Sequence, residues 1–593
     1  MTITRVAAAL MIGAAILLSS CGGGGGGSAP AGGGTPAAPT LSLGFGVKEL
    51  RFTWLAISGA DFYRLSENPD GVSGYAQVAT NLTALSFNHT IPVHRRLNAS
   101  YIVEACNNAG CTASAPQILG TNLTQAIGYV KASNTGAGDD FGLAVALSGD
   151  GNTLAVGALG EASSSTGIDS TPNELAPQAG AVYVYTRSAS TWSQQAYVKA
   201  SNTGTNDGFG FSVALSGDGN TLAVGALGEA SSTTGVDSTP NELAASAGAA
   251  YVFTRTAGTW SQQAYVKASN TGAGDQFGNS VALSGDGNTL AVGAQNEDSS
   301  STGIGSTPNE LAADAGAVYV YTRTGTTWSQ QAYVKASNTR AGDQFGRPVA
   351  LSGDGNTLAV GAVSEDSSST GIDSTPNELA SFAGAVYVYT RSAGTWSQQA
   401  YVKASNTGAG DVFGVSVALS GDGNTLAVGA DGEASSSTGI DSTPNELAFA
   451  AGAVYVYTRG AGTWSQQAYV KAPNTGAFDL FGISVALSGD GNTLAVGAIG
   501  EASSTTGINS TPNEAAFAAG AVYVYTRSAG AWSQQAYVKA SNTGTNDRFG
   551  DRVALSSDGN TLAVGADGEA SSSTGLSSTP NESAADAGAV YLY

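Results

Sequence analysis

Two sets of carboxylates recur through the sequence at intervals of 68 residues, and both could bind a cation or a polar ligand. The first set lies in the motif Ser-Gly-Asp-Gly-Asn, whose first copy is residues 148–152. Ca²⁺ takes about six to eight oxygen ligands, usually several of them carboxylates. Because the motif offers one carboxylate, a calcium site built from Ser148, Asp150 and Asn152 is weakly supported. The alternative is a tight turn in which Asp150 caps a backbone N–H and Gly151 takes a positive φ. The recurring aspartates are Asp150, Asp218, Asp286, Asp354, Asp422, Asp490 and Asp558.

The second set follows the segment Thr-Leu-Ala-Val-Gly-Ala, which alternates with period two and is predicted to be a strand. Together with Asp169, Glu161 could form a cation or ligand site beside a Ser/Thr-rich loop at the protein surface. Gly305, Asn509 and Ser577 replace Asp169 in other repeats, which weakens a sevenfold metal site. The alternative is a solvated acid in a loop. The predicted ligand-binding glutamates are Glu161, Glu229, Glu297, Glu365, Glu433, Glu501 and Glu569.

Two further motifs of the repeat admit both a structural and a binding role. Thr171-Pro-Asn-Glu174 has the pattern of a capping box with proline at the first helical position, which predicts a helix of one or two turns. Ligand binding by Glu174 is the alternative. Trp192 and its five counterparts are expected to pack in outer strands, although tryptophan can also stack on sugars.

Nucleophilic catalysis by a histidine-activated group is excluded in most of the chain. His89 and His94 are the only histidines, the cysteines are Cys21, Cys106 and Cys111, and residues 119–593 contain neither type. This rules out Ser-His-Asp and Cys-His sites there. The acids recur equally in every repeat, whereas an enzyme usually needs one asymmetric site. We therefore expect no enzymatic activity and no cofactor, and we expect both histidines to lie in a strand or turn without a metal.

Composition restricts the partners. The chain has 23 Lys and Arg against 45 Asp and Glu, a net charge of −22, which argues against nucleic acid. A composition with 82 glycines and 11% charged residues favours many short strands joined by tight turns.

The N-terminus has the pattern of a secretory signal. Arg5 precedes an apolar run that is too short to span a bilayer, followed by Leu18-Ser-Ser-Cys21. These four residues resemble the lipobox of bacterial lipoproteins, and the resemblance implies cleavage before Cys21 and lipidation of its side chain. We expect residues 1–21 to be the signal peptide and residues 22–39, rich in Gly, Pro and Ala, to be a flexible tether. Gly22 after the cysteine favours the outer membrane or cell surface.

Residues 40–118 are predicted to form a small β-sandwich. Segments that alternate like strands begin at Leu50, Phe62 and Tyr101, with turn residues between them. Trp54 and the segment Leu97-Asn-Ala-Ser-Tyr101 resemble the core tryptophan and the tyrosine corner of fibronectin type III domains. Cys106 and Cys111, an even pair in an exported chain, are expected to form a disulfide across the last hairpin.

The rest of the chain, residues 119–593, repeats with a period of 68 residues, marked by Tyr-Val-Lys from Tyr129 to Tyr537. Each unit contains four segments that alternate with period two, a pattern typical of a β-propeller blade. Small residues in two of the segments suit the crowded axis, and aromatic residues in the other two suit the rim. Seven inner triplets accompany six Trp-Ser-Gln-Gln strands, so the seventh outer strand must come from residues 123–133. We therefore predict that the strand around Tyr129 pairs antiparallel with the strand around Tyr591. The predicted fold is all-β, a seven-bladed β-propeller preceded by a fibronectin type III-like sandwich.

Phe141-Gly142, Val156-Gly-Ala158 and Gly180-Ala-Val-Tyr-Val-Tyr185, with their counterparts, resemble the FG-GAP repeats of integrin α-subunit propellers and their bacterial relatives. The resemblance implies recognition of other macromolecules, and the single carboxylate of the Ser-Gly-Asp-Gly-Asn motif departs from the family's calcium loop. We expect a monomeric, lipid-anchored protein that binds an extracellular protein or glycan. A structural scaffold of a surface complex and a lectin-like role are the alternatives.

Overall fold

The structure, a computed structural model, describes residues 34–188 and 191–593. Over these residues the chain is all-β, with two small sheets followed by seven sheets of four strands each. Short 3₁₀ turns occupy Val93–Arg95 and Gly120–Ala126, and none of the helices in the described ranges is long and apolar enough to cross a membrane. The predicted signal peptide, Cys21 and most of the predicted tether lie outside the described residues.

The N-terminal part consists of two facing sheets, here called the sandwich. One sheet has the order β1–β2–β5 and the other β4–β3–β6–β7, with β8 on β6. Alternation in β2 buries Leu50, Phe52 and Trp54 in a core shared with Tyr101. The strands predicted at Leu50, Phe62 and Tyr101 are confirmed. The strands are β1 (Leu41–Gly46), β2 (Glu49–Trp54), β3 (Phe62–Asn68), β4 (Ala76–Leu82), β5 (Ser86–Thr90), β6 (Ser100–Asn107), β7 (Gly110–Ala113) and β8 (Gln117–Ile118).

Two details of the sandwich bear on the sequence predictions. The Tyr101 hydroxyl donates to the Glu67 carboxylate on β3, whereas the hydroxyl of a tyrosine corner bonds to nearby backbone. The Tyr101 hydroxyl therefore has a carboxylate acceptor in place of the backbone acceptor that the resemblance implies. Cys106 and Cys111 face each other in the β6–β7 hairpin and are joined by a disulfide, with their Cα atoms 4.0 Å apart.

The seven four-stranded sheets, here called the ring, repeat one antiparallel pattern. The innermost strands of successive sheets contact each other, and the last contacts the first. The strands, from inside to outside, are β10 (Phe141–Leu147), β11 (Thr153–Ala158), β12 (Ala181–Ser188) and β13 (Thr191–Val198); β14 (Phe209–Leu215), β15 (Thr221–Ala226), β16 (Ala249–Thr256) and β17 (Thr259–Val266); β18 (Phe277–Leu283), β19 (Thr289–Ala294), β20 (Ala317–Thr324) and β21 (Thr327–Val334); β22 (Phe345–Leu351), β23 (Thr357–Ala362), β24 (Ala385–Ser392) and β25 (Thr395–Val402); β26 (Ser416–Leu419), β27 (Thr425–Ala430), β28 (Ala453–Gly460) and β29 (Thr463–Val470); β30 (Phe481–Leu487), β31 (Thr493–Ala498), β32 (Ala521–Ser528) and β33 (Ala531–Val538); β34 (Val553–Leu555), β35 (Leu562–Ala566), β36 (Ala589–Leu592) and β9 (Gly128–Val130).

Small residues bring neighbouring sheets together near the axis. Strand β11 is buried along its whole length, and a Cβ atom built on Gly157 would lie 2.0 Å from the carbonyl oxygen of Gly210 in the next sheet. The same approach recurs around the ring, ending with Gly565 against Gly142 of the first sheet. Glycine at this position is therefore a steric requirement of the sheet-to-sheet contact. The prediction that small residues lie towards the axis is confirmed.

Two sets of backbone contacts close the ring. Gly149 N donates to Gly217 O, each later turn donates to the next, and Ser557 N of the seventh turn donates to Gly149 O at 2.8 Å. In the seventh sheet, β9 pairs antiparallel with β36 and aligns Tyr129 with Tyr591. This confirms the predicted pairing of the two segments. It also covers an edge of β36 that would otherwise expose unpaired backbone groups.

The ring has two unlike ends. The turn end carries the Ser-Gly-Asp-Gly-Asn turns, because β10 and β11 are joined there, and the loop end carries the long connections between β11 and β12. The sandwich contacts the turn end: Lys48 Nζ donates to Tyr593 O at 3.0 Å and to Thr561 Oγ1 at 3.1 Å. The loop end therefore faces away from the sandwich contacts.

Candidate functional site

The predicted ligand-binding glutamates lie inside the protein. Glu161 is 1% exposed, and its Oε2 lies 3.0 Å from Lys199 Nζ. Its Oε1 accepts hydrogen bonds from the Tyr197 hydroxyl at 2.8 Å and from Asn134 Nδ2 at 3.1 Å, and the Ser163 N–H donates to Oε2. The expectation of a surface position is therefore wrong, because the loop folds each carboxylate back onto an outer strand. The ion pairs are Glu161–Lys199, Glu229–Lys267, Glu297–Lys335, Glu365–Lys403, Glu433–Lys471, Glu501–Lys539 and Glu569–Lys131.

The lysine partners are residues that the sequence reasoning missed. Lys199 is fully buried, and burial lowers its pKa although the Glu161 carboxylate acts in the opposite direction. Lys199 Nζ also donates to Gly180 O, so each pair fastens the long loop to the outer strand. The available signal was the lysine of Tyr-Val-Lys, which recurs with the same period as the glutamate. Buried charges are stable only when paired and hydrogen-bonded, and this network provides both.

Asp169 does not join Glu161 in a cation site. Its Oδ1 accepts the Tyr197 N–H at 2.9 Å, which caps the adjoining backbone. Over residues 34–188 and 191–593, no group of three or more His, Cys, Asp or Glu side chains is arranged to hold a metal ion. Asp169 therefore has a local structural contact in place of the predicted shared ligand.

The Asp150 set forms the predicted turns. Asp150 Oδ1 accepts hydrogen bonds from Ser148 Oγ at 2.6 Å and from the Asn152 N–H at 2.9 Å, and Gly151 has φ of 64°. Partial burial opposes ionisation, but the bonds from Ser148 and Asn152 hold the pKa of Asp150 below its usual value. The interpretation as capped turns is confirmed. The same bonds occupy the oxygens that a calcium site would need.

A second set of buried acids was missed. Asp139 is 5% exposed and accepts the Gly136 N–H at 2.6 Å. Burial raises the pKa of Asp139 to about 6, and the pKa values of its counterparts Asp275 and Asp343 to about 7. These aspartates precede the Phe-Gly dipeptide of each repeat, so their spacing was visible but their burial was not.

The tryptophans pack between neighbouring sheets. Trp260 is 4% exposed, and its Nε1 donates to Gln195 Oε1 of the preceding sheet at 3.0 Å. The Arg255 guanidinium lies 5.2 Å from the Trp260 ring centre, and it donates to both Gln195 Oε1 and Thr153 Oγ1. The packing role is confirmed, and these ring faces are not free to stack on a sugar.

The predicted helix at Thr171-Pro-Asn-Glu174 is wrong. This segment is irregular, and Asn173 Oδ1 accepts N–H bonds from Ser164 and Leu175, while the Asn173 N–H donates to Ser163 Oγ. The asparagine side chain thus satisfies the backbone groups that a helix would pair. Glu174 itself is exposed at the loop end.

The two histidines occupy the sandwich. His89 lies in β5 and His94 in the 3₁₀ turn, as the strand-or-turn prediction required. Burial lowers the pKa of both imidazoles, which favours their neutral forms.

The repeats diverge mainly at the loop end. The residue after Phe-Gly is different in every repeat, and most of these residues line a cavity of about 440 Å³ at the axis, including Phe211, Asn279, Arg347 and Ile483. Residues of all seven innermost strands also line a second, smaller space of about 270 Å³. The loop end therefore combines a common scaffold with side chains that differ from sheet to sheet, which suits recognition of an asymmetric partner.

Comparisons with known proteins agree with this repeat structure. The FG-GAP repeat family matches residues 192–253, 260–321, 328–389, 396–457, 464–525 and 532–593. Each match takes the outer strand of one sheet and the three inner strands of the next. No curated protein shows significant similarity to the chain.

Two solved structures show a weak similarity to this chain. "Crystal structure of RRP9 WD40 repeats" has 9% identity and a TM-score of 0.38, covering 79% of this chain and 96% of that one. A structure described as "Ca2+-stabilized adhesin helps an Antarctic bacterium reach out and bind ice" has 11% identity and a TM-score of 0.13, covering 86% and 99%. Neither score is high enough to bear on function. The family match extends over more than half of the sequence, and the chain therefore belongs to the FG-GAP repeat family.

Proposed function

We propose that this FG-GAP repeat protein is a surface lipoprotein that uses a seven-bladed β-propeller for adhesion to, or recognition of, extracellular macromolecules. In this proposal Cys21 carries the lipid, residues 22–39 are the tether, and the protein acts as a monomer without a cofactor or enzymatic activity. The family match and the seven sheets with ring-closing contacts support the propeller.

The observation that carries the proposal is the position of the sandwich. Lys48 and Arg95 attach it to the turn end of the ring, and the chain reaches the membrane tether through the sandwich. A tether on that side leaves the loop end, with its diverse side chains, directed away from the membrane. This is the orientation that a recognition surface requires.

We also propose that the sandwich is fibronectin type III-like. Its order of β1–β2–β5 against β4–β3–β6–β7 supports this identification, as does the buried Trp54. Such a domain would act as a spacer that fixes the direction of the ring.

Anchoring is tested by fractionating cells that express the wild-type chain or Cys21→Ser. The wild type should remain with membranes and Cys21→Ser should be released, since the tether alone has no means of insertion. Membrane retention of Cys21→Ser would overturn the anchor.

Recognition is tested with the released Cys21→Ser chain as a soluble probe on arrays of extracellular proteins and glycans, with and without a calcium chelator. Saturable binding to some members is expected. Binding to none of them would overturn the proposed function. Binding to glycans alone would favour the lectin-like alternative, and a stable complex with another envelope protein would favour the scaffold.

A further inference from the structure

The loop end carries the exposed apolar side chains of the ring. Four phenylalanines, here called the phenylalanine arc, lie in the fourth, fifth and sixth sheets: Phe382, Phe449, Phe478 and Phe517. Their exposed fractions range from 58% to 70%. The ring centroids of Phe449 and Phe478 lie 5.4 Å apart, so these two rings are in contact. Over the described part of the ring, every other large exposed apolar residue is a leucine of the same loops. These leucines are Leu175, Leu243, Leu311, Leu379 and Leu447.

The arc interrupts the repeat. Phe449 and Phe517 occupy a position that holds Pro177, Ala245 or Ala313 in other sheets. Phe382 occupies the position of Ser246, and Phe478 that of Gly138. The other four sheets thus fold with small or polar residues at these positions, so the fold does not require the phenylalanines.

Two of the phenylalanines adopt backbone conformations that disfavour bulky residues. Phe382 has φ of 55° and Phe478 has φ of 66°. At the second position other sheets use glycine or Asn206 and Asn546, the types that suit the left-handed region. Exposure and backbone strain both oppose stability, and residues that persist against both are typical of a binding surface.

The charge around the arc is negative. One glutamate per sheet is exposed in the same loops, next to the leucine position, and Glu378 alone of these is paired, with Arg340. The glutamates are Glu174, Glu242, Glu310, Glu378, Glu446, Glu514 and Glu582. Such a surface repels nucleic acid, anionic lipid and a second copy of itself, and it attracts a cationic partner.

We propose that the loop end over the fourth to sixth sheets docks a cationic amphipathic segment of a protein partner. Apolar side chains of that segment cover the phenylalanine arc, and its lysines or arginines face Glu446 and Glu514. The inference rests on the proposed recognition function and adds the class of partner and the part of the ring that binds it. The Phe449 and Phe478 rings meet edge to face and form an apolar surface that the aliphatic side chains of a polypeptide can cover.

The test uses the soluble full-length chain and a synthetic peptide with lysine and leucine on opposite faces of a helix. Two companion peptides replace lysine by glutamate or leucine by serine. Phe382→Ser, Phe449→Ala, Phe478→Gly and Phe517→Ala are combined in one variant, because each places in the arc a residue that another sheet already carries. Leu55→Ser with Val72→Ser, two exposed positions of the sandwich, is the matched control.

Of the three peptides, the wild-type chain should bind only the lysine–leucine peptide. This binding should weaken as the salt concentration increases. The arc variant should bind it at least about tenfold more weakly, which corresponds to about 1.4 kcal/mol, and the sandwich control should bind as the wild type does. Glu446→Gln with Glu514→Gln should weaken binding more than Glu174→Gln with Glu242→Gln, the same change made outside the arc. Phe517→Ala alone, with its melting temperature measured, separates lost binding from lost folding.

Equal binding by the wild type and the arc variant would overturn the inference, as would equal binding of the glutamate peptide or of phosphatidylglycerol vesicles. A wild-type chain that captures array ligands but not the peptide would overturn this inference and leave the proposed function standing. A wild-type chain that captures neither the array ligands nor the peptide would overturn both the inference and the proposed function.

Discussion

Arg95 Nη2, on the sandwich, donates to Thr493 Oγ1 of the sixth sheet at 2.6 Å. The equivalent threonine of the preceding sheet, Thr425, accepts the same bond from Arg527 of the ring. Arg95 Nη1 also donates to Asn560 Oδ1, and the equivalent atom in the preceding sheet, Asn492 Oδ1, accepts from Arg527 Nε. In the described seventh sheet, a side chain of the sandwich thus takes the place of the rim arginine.

Replacing this arginine should loosen the sandwich from the ring. We expect Arg95→Ala to lower the free energy of unfolding by about 1–3 kcal/mol, because it leaves part-buried acceptors without donors. Arg51→Ala is the control, since Arg51 is half-exposed and bonds within the sandwich to Glu49; its effect should be about 0–1 kcal/mol. Denaturant unfolding measures both, and equal losses would contradict the stand-in role of Arg95.

Each buried ion pair should contribute strongly to the stability of the folded chain. Glu297→Gln removes the charge partner of Lys335, which is fully buried, and we expect a loss of about 3–5 kcal/mol. Glu310→Gln, at an exposed position in the same loop, should change the free energy of unfolding little. Melting curves of the two variants test this prediction. A small loss of stability in Glu297→Gln would mean that the loop does not depend on the ion pair.

Stability should increase on mild acidification. Burial raises the pKa of Asp275, Asp343 and Asp411 to about 7 in the folded chain, against 3.8 as the ordinary value. Between these values the folded chain holds more protons than the unfolded chain, so stability is greatest at the acidic end of the window and falls as the pH rises through it. We expect a higher melting temperature near about pH 5 than near about pH 7.5.

Asp275→Asn with Asp343→Asn should reduce this pH dependence, because two of the titrating groups are removed. The control is Asp286→Asn, in a turn where hydrogen bonds lower the pKa. A melting temperature that rises from about pH 5 to about pH 7.5 would contradict the assignment.

Closure of the ring should depend on β9. A chain that begins at Thr121 keeps β9, whereas one that begins at Ser133 loses it, together with Lys131, the partner of Glu569. Both lack the sandwich, so they differ in the closing strand and its short approach. We expect the shorter chain to melt at a clearly lower temperature, and equal melting temperatures would show that closure does not need β9.

The strands and their order were predictable because the same pattern of strand segments recurs in every repeat. A period of 68 residues with alternation in each segment predicted the four-strand unit, and the imbalance between inner and outer strands predicted that Tyr129 pairs with Tyr591. The turn at Asp150 was predictable because its hydrogen bonds are local.

The roles of the recurring acids were not predictable, because they depend on contacts across the chain. Glu161 meets Lys199, 38 residues later, after a long loop has folded back. At Asn173 a side-chain bond to the backbone outweighed a capping-box pattern. The phenylalanine arc required knowledge of which loops share one end of the ring.

The cycle of hydrogen bonds that begins at Gly149 has a consequence for the number of repeats that the ring can accommodate. Every turn in the cycle is both donor and acceptor, and neighbouring sheets touch through glycines with no room for a Cβ atom. A chain with one repeat more or fewer would have to change the angle between every pair of neighbouring sheets. That change would disrupt the close glycine contacts and the cycle of hydrogen bonds. The contacts at the axis therefore favour seven repeats, whereas substitutions at the loop end leave these contacts unchanged.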